Sequence, residues 1–337
     1  MKKIFCIILC AITAVCCCAC GGNKPSPTDE QTEPVTEAAT KDEATTATEA
    51  SETDGRAGLK AFMARFDDTP TVGDKLVYED KDLTVTVHGI NYAPISGPEL
   101  HLTIENRLDK DIVLTAPYAA VNGYMITPEF KTDIPKGKST NSNLTLPYFS
   151  LAIADITVIR EIDFALRVTE ARTYNPLFVT DIIPVKTSAF KTEDESAEED
   201  IAGQTVYDKV DITIVLRGVS SDRAYSDGAE MVVCIFNDTD RNISVRTDDI
   251  TVNGYELISS VLSRTVLSGK RAVDVVTFYK QELKEYGIDA IDSVKVSFEI
   301  KDADTWEQID STDMIGVELK GPEPPTVPSE PSEAPTE

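Results

Sequence analysis

The residue types in this chain that could do chemistry are few: His88, His101, Cys234 and the run Asp238-Thr239-Asp240-Arg241-Asn242. A cysteine nucleophile needs an imidazole base within reach, and Cys234 has no histidine in its own half of the chain. His88 and His101 lie together in the other half, with no third ligand at a spacing that would complete a metal site. Asp238, Asp240 and Asn242 have the 1-3-5 spacing of a calcium loop, with Asp249 at the twelfth position. Ile243, however, stands where such a loop needs glycine, so a hairpin turn is the expectation and calcium the alternative. Asp248-Asp249 reads as a solvated loop pair. No glycine-rich phosphate loop, Gly-x-Ser-x-Gly elbow or His-Glu-x-x-His motif occurs. No enzyme and no cofactor is expected.

The elements that would position these residues come in duplicate. Val121-Asn122-Gly123-Tyr124 recurs as Val252-Asn253-Gly254-Tyr255. In the same order, Asp82–Ile90 matches Asp211–Val219, Glu99–Asn106 matches Glu230–Asn237, Asp109–Ile112 matches Asp240–Ile243, and Phe164–Val168 matches Val296–Ile300. Copies of this length are domains rather than solenoid repeats. Leu83, Val85 and Val87 alternate with Thr84, Thr86 and His88, and Leu100, Leu102 and Ile104 repeat the period of two that marks a strand. Asn- and Asp-rich turns separate these runs. The fold expected is all-β: two tandem immunoglobulin-like antiparallel β-sandwich domains from an internal duplication, each folding on its own. A short helical turn is expected at Gln281–Tyr286, closed by Gly287.

The copies differ on one face. Where the first has Thr86, His101, Thr103 and Glu105, the second has Val215, Val232, Cys234 and Phe236. A strand apolar on both faces is covered. The expected cover is another layer of the same domain; the first domain, or a partner using these four residues as an interaction face, are the alternatives.

Around the two domains (73–188 and 205–320) the composition changes. Residues 57–72 carry Leu59, Phe62, Met63 and Phe66 at helical spacing and are expected to cap the first domain. Residues 20–56 form an acidic Thr/Glu/Pro tether with too little apolar surface to fold, 189–204 an acidic linker, and 321–337 a Pro/Glu-rich tail. The net charge of −26 disfavours nucleic acid and anionic lipid surfaces. Cys234 is the single cysteine beyond position 20, so the domains are expected to rely on core burial without a disulfide.

Residues 1–19 read as an export signal: Lys2-Lys3, then an apolar run too short to span a bilayer comfortably. With Ala19-Cys20-Gly21-Gly22 the segment resembles a bacterial lipoprotein signal, although Cys17 stands where that pattern usually has leucine. The resemblance implies lipid attachment at Cys20. The repeated Val-Asn-Gly-Tyr, the Asn237–Ile243 turn and Gly287–Ile291 resemble Gram-positive surface lipoproteins with tandem Ig-like domains, a family mostly of unknown function. The resemblance implies fold and place, not activity; the leading expectation is a non-enzymatic binding or structural protein on the outer face of the cytoplasmic membrane, a monomer held by its lipid, with an envelope protein or glycan as partner. A lipoprotein holding a peptide or small solute is the second reading, and a cell-wall hydrolase the third.

Overall fold

The computed structural model describes residues 53–93, 95–191, 202–220, 228–317 and 319. The signal segment with Cys20, most of the tether, the middle of the linker and the tail lie outside the described residues. The first half contains α1 (Thr53–Ala64), β1 (Lys75–Glu79), β2 (Leu83–Ala93), β3 (Gly97–Asn106), β4 (Ile112–Val121), β5 (Tyr124–Ile126), β6 (Lys131–Ile134), β7 (Ser139–Thr145), α2 (Tyr148–Ile153), β8 (Glu161–Glu170), β9 (Pro176–Val179) and β10 (Ile183–Lys186). The second contains β11 (Gln204–Lys209), β12 (Ile212–Ser220), β13 (Gly228–Asn237), β14 (Ile243–Val252), β15 (Tyr255–Glu256), β16 (Ser263–Val266), β17 (Lys270–Tyr279), α3 (Lys280–Glu285), β18 (Val294–Asp302), β19 (Gln308–Ser311) and β20 (Ile315–Val317). From β1 onward the two halves follow one order, element for element. The fold is all-β and sandwich-like, and none of the described sheets closes into a barrel.

Three sheets carry it. One has the order β1-β2-β3-β7; another has β15-β14-β18-β19, with β16 on β14 and β20 on β18. Between them runs a sheet of ten strands, β10-β8-β4-β5-β17-β13-β12-β11, with β6 on β4 and β9 on β8. The two outer sheets cover opposite faces of this central sheet, as the alternation along single strands shows. On β4, Val121 enters the first core and Ala120 the second; on β13, Val233 and Ile235 enter the second core and Cys234 the first. Leu83, Val85, Val87, Leu100, Leu102 and Ile104 are completely or almost completely buried, as their period predicts.

The two expected domains are joined rather than set apart by the linker. The halves share one sheet through β5 and β17, which pair in parallel with Arg271 opposite Tyr124 and Ala272 opposite Met125. Ala120 and Met125 of the first half pack in the second core, and Val215, Cys234 and Val273 of the second half pack in the first.

Of the apolar stripe before the first sandwich, Leu59, Phe62 and Met63 lie on α1 and Phe66 just past its end. Phe62 is buried, and Leu59, Met63 and Phe66 pack beside it. The ring of Phe66 meets Tyr148 edge-on at 5.2 Å and Tyr92 at 6.0 Å, so the helix caps the first sandwich. In the second half α3 ends at Gly287, whose φ of 68° lies in the left-handed region that closes a helix.

Candidate functional site

The shared Val-Asn-Gly-Tyr turn builds the junction between the sandwiches. Asn122 and Gly123 have φ of 50° and 82°, and Asn253 and Gly254 have 51° and 86°. These are the values of a tight hairpin that favours Asn-Gly. The asparagine side chain also pins the chain entering β8 or β18. Asn122 Oδ1 accepts from the amides of Arg160 (2.8 Å) and Glu161 (3.2 Å), and its Nδ2 donates to the Val158 carbonyl at 2.7 Å. Asn253 does the same with Asp292, Ser293 and Ala290. In the first half this turn sets β5 at the sheet edge, where the Gly123 carbonyl accepts from the Arg271 amide at 3.0 Å.

Polar contacts then clamp the joint. Lys270 Nζ lies 2.5 Å from Asp163 Oδ2, both side chains largely covered. Arg264 donates to Thr127 Oγ1 at 2.9 Å and to the Met125 carbonyl at 2.7 Å. Burial draws the Arg264 guanidinium below its ordinary pKa, opposed by Asp274 at 3.8 Å. The guanidinium of Arg271 stands over the Phe236 ring at 5.4 Å. Asp163, Arg264 and Lys270 carry no sequence motif. What marks them is the comparison of copies. Lys295 stands in the place of Asp163 and Lys138 in that of Lys270, so the mirrored contact would set two lysines together.

The four residues of the apolar face, expected to be covered and with a partner interaction face as one alternative, sit at this joint. Val215 and Cys234 are buried, and Val232 and Phe236 half-buried, all packed against the first core. Their cover is the first sandwich, with α2 lying against β17, and not another layer of their own domain. Cys234 is buried, and burial pushes its thiol up to about 11, with Arg217 opposing only in part, which disfavours the thiolate.

A cleft of about 510 Å³ opens beside the joint. Its wall includes Tyr124, Ile156, Arg160, Glu161, Phe190 and Lys270. Lys186 Nζ stands 3.5 Å over the Phe190 ring.

The histidines occupy the open face of the β1-β2-β3-β7 sheet. His88 Nδ1 is 2.8 Å from Asp74 Oδ1, and Nε2 is 2.7 Å from Thr103 Oγ1. This has the outline of an Asp-His-hydroxyl relay. Two features argue against its use as one. The Thr103 hydroxyl donates to Asn141 Oδ1 at 2.7 Å, and β3 lies between β2 and β7, whose ladders engage its backbone amides on both edges. No free N–H at Thr103 is left to hold an oxyanion. His101 meets Asn143 Oδ1 at 2.9 Å, and Asn143 donates to Glu99 at 3.0 Å, forming a second polar ladder on the same face.

Asp238, Asp240 and Asn242 form a turn whose oxygens do not converge. Asn242 donates to Asp304 and accepts from the Ser268 amide, both at 3.2 Å. The turn is organised instead by buried Asn237, whose Nδ2 donates to the carbonyls of Arg241 (2.8 Å) and Val266 (3.0 Å). Asn106 makes the matching bonds to Lys110 and Ile134 in the first half. Among the described residues no group of three or more His, Cys, Asp or Glu is placed to hold a metal.

No family model and no curated protein matches the chain. Among solved structures the YadV chaperone is similar over 64% of this chain and 92% of its own, at 13% identity and a TM-score of 0.21. A Porphyromonas gingivalis protein of unknown function is similar over 70% and 97%, at 14% identity and a TM-score of 0.17. A mutant of Bacillus subtilis oxalate decarboxylase follows over 72% and 80%, at 7% identity and a TM-score of 0.10. At such scores these likenesses carry no argument about function.

Proposed function

We propose that this is a lipid-anchored extracellular protein of the bacterial envelope, non-enzymatic, which presents two fused immunoglobulin-like sandwiches as one binding or structural body. The observation that carries the reading is Ala19-Cys20-Gly21-Gly22 behind a basic and then apolar leader, followed by a long acidic tether and an all-β body. The tether would give a reach of roughly 30 Å or more as a coil. The non-enzymatic part is supported by the engagement of both imidazoles in ladders on an open sheet face and by the burial of Cys234.

Cys20→Ala should move the protein from the membrane fraction to the medium and remove the mass of the lipid. Unchanged membrane retention with unchanged mass would refute the anchor. The cleft of about 510 Å³ favours a second reading, a holder of a peptide or small solute. A hydrolase is less well supported, since one of the acids in the cleft wall, Asp155, is paired with Arg65.

A further inference from the structure

Two loops share an anomaly. The loop after β8 reads Glu170-Ala171-Arg172-Thr173-Tyr174, and the loop after β18 reads Asp302-Ala303-Asp304-Thr305-Trp306. They are built by the same bonds. The Ala171 amide donates to the Asp111 carbonyl at 3.0 Å, and that of Ala303 to the Asn242 carbonyl at 2.9 Å. The Tyr174 amide donates to the Glu170 carbonyl at 2.9 Å, and that of Trp306 to the Asp302 carbonyl at 3.0 Å. The acid that opens each loop is held by its threonine: the Thr173 hydroxyl donates to Glu170 at 2.7 Å, and the Thr305 amide to Asp302 at 2.9 Å.

The fifth residue of each loop lies in the left-handed region, with φ of 56° at Tyr174 and 62° at Trp306. Glycine or asparagine adopts that conformation cheaply, whereas a bulky aromatic does so only under strain. Yet both copies place an aromatic there, and Trp306 is the single tryptophan of the chain. Burial does not explain it: Tyr174 is 70% exposed and Trp306 68%. Among the described residues neither side chain makes a hydrogen bond or ring contact. The loop hydrogen bonds hold the left-handed backbone but do not call for an aromatic there, so an exposed ring found twice at equivalent strained positions points to a use outside the fold.

The surroundings choose the ligand chemistry. An exposed flat ring takes either the C–H face of a sugar or the interface of a lipid bilayer. Exposed Asp304 and Glu307 flank Trp306, while Arg172 and Asn175 flank Tyr174. With a chain charge of −26, anionic headgroups are repelled. Carboxylates and amides beside a ring are hydrogen-bond acceptors for hydroxyl groups. We propose that Tyr174 and Trp306 are two equivalent stacking platforms for uncharged pyranose rings of a polysaccharide. This deepens the binding-module reading, and rests on it only for placing the chain where glycans are met.

Trp306 is a built-in reporter. Titrating the purified full chain with chitohexaose and cellohexaose should produce a saturable change in its fluorescence with at least one of them. Retention on chitin or cellulose particles should fall about tenfold for each of Tyr174→Ala and Trp306→Ala, the scale of one aromatic contact, and further for the pair. Trp306→Gly should lose binding to the same degree while melting at the wild-type temperature or above, since it relieves the left-handed strain. The proposal is overturned if neither oligosaccharide moves the fluorescence, if only phosphatidylglycerol vesicles do, or if the alanine variants are retained like the wild type. Any of these counts against the platforms and leaves the Cys20 anchor, tested by fractionation, standing.

Discussion

Residues 202–319 expressed without the first sandwich should not unfold cooperatively, and should aggregate or bind hydrophobic dyes. Removing the first half strips the cover from Val215, Cys234 and Val273, which are buried against it, and from half-buried Val232 and Phe236. It also takes Ala120 and Met125 out of the second core and bares the edge of β17 that pairs with β5. Each large apolar side chain re-exposed forfeits about 1.5–3 kcal/mol. Val215 and Val273 lose that much and half-buried Val232 and Phe236 part of it, together a large share of a typical domain's ~5–15 kcal/mol of stability. An open apolar edge is moreover a template for aggregation. Circular dichroism through a urea titration decides the matter. A sharp two-state transition at the midpoint of the full chain would show that the second sandwich stands alone.

Asn237→Leu should be among the most damaging single substitutions outside the apolar core. Asn237 is fully buried, its Nδ2 serves two carbonyls, and its Oδ1 accepts from the Thr239 amide at 3.2 Å and hydroxyl at 2.6 Å. Leucine has nearly the same size but leaves those groups without partners, at about 1–3 kcal/mol for each one that water does not reach. With two or more stranded, the melting temperature should fall by roughly 10 °C, taking ~2–4 °C per kcal/mol for a body of this length. Asp238→Ala, at an exposed position in the same turn, serves as control and should shift it little. A drop of under about 3 °C for Asn237→Leu would mean that the turn is held by other contacts. Asn106→Leu should behave alike, because its bonds to Lys110 and Ile134 match.

The strands were legible in the sequence because their physics is local. Leu83, Val85 and Val87 alternate with polar residues, and a period of two with one buried face leaves little choice. The α1 stripe was legible for the same reason at a period of 3.6. The repeated Val-Asn-Gly-Tyr was visible as a signature, but its cause was not. The left-handed φ of Asn122 and its bonds to Val158, Arg160 and Glu161 are tertiary facts. The Val215, Val232, Cys234 and Phe236 face was legible as covered, because alternation reports that a side chain leaves water. It does not report what excludes the water, and the cover proved to be the other sandwich. The parallel joint had no sequence signal, since β5 is only three residues long. Tyr174 and Trp306 align between the copies, yet a sequence does not display φ, and without φ they are two more surface aromatics.

The fusion of the two sandwiches through β5 and β17 is tested most directly by hydrogen exchange at the Arg271 amide. That amide points away from β13 and donates to the Gly123 carbonyl at 3.0 Å across the joint. If the two sandwiches form one body, it exchanges only through global opening, as slowly as amides in the middle of β13. Exchange at the rate of an unprotected amide would show that the joint opens freely and that the sandwiches are separate modules on a common chain.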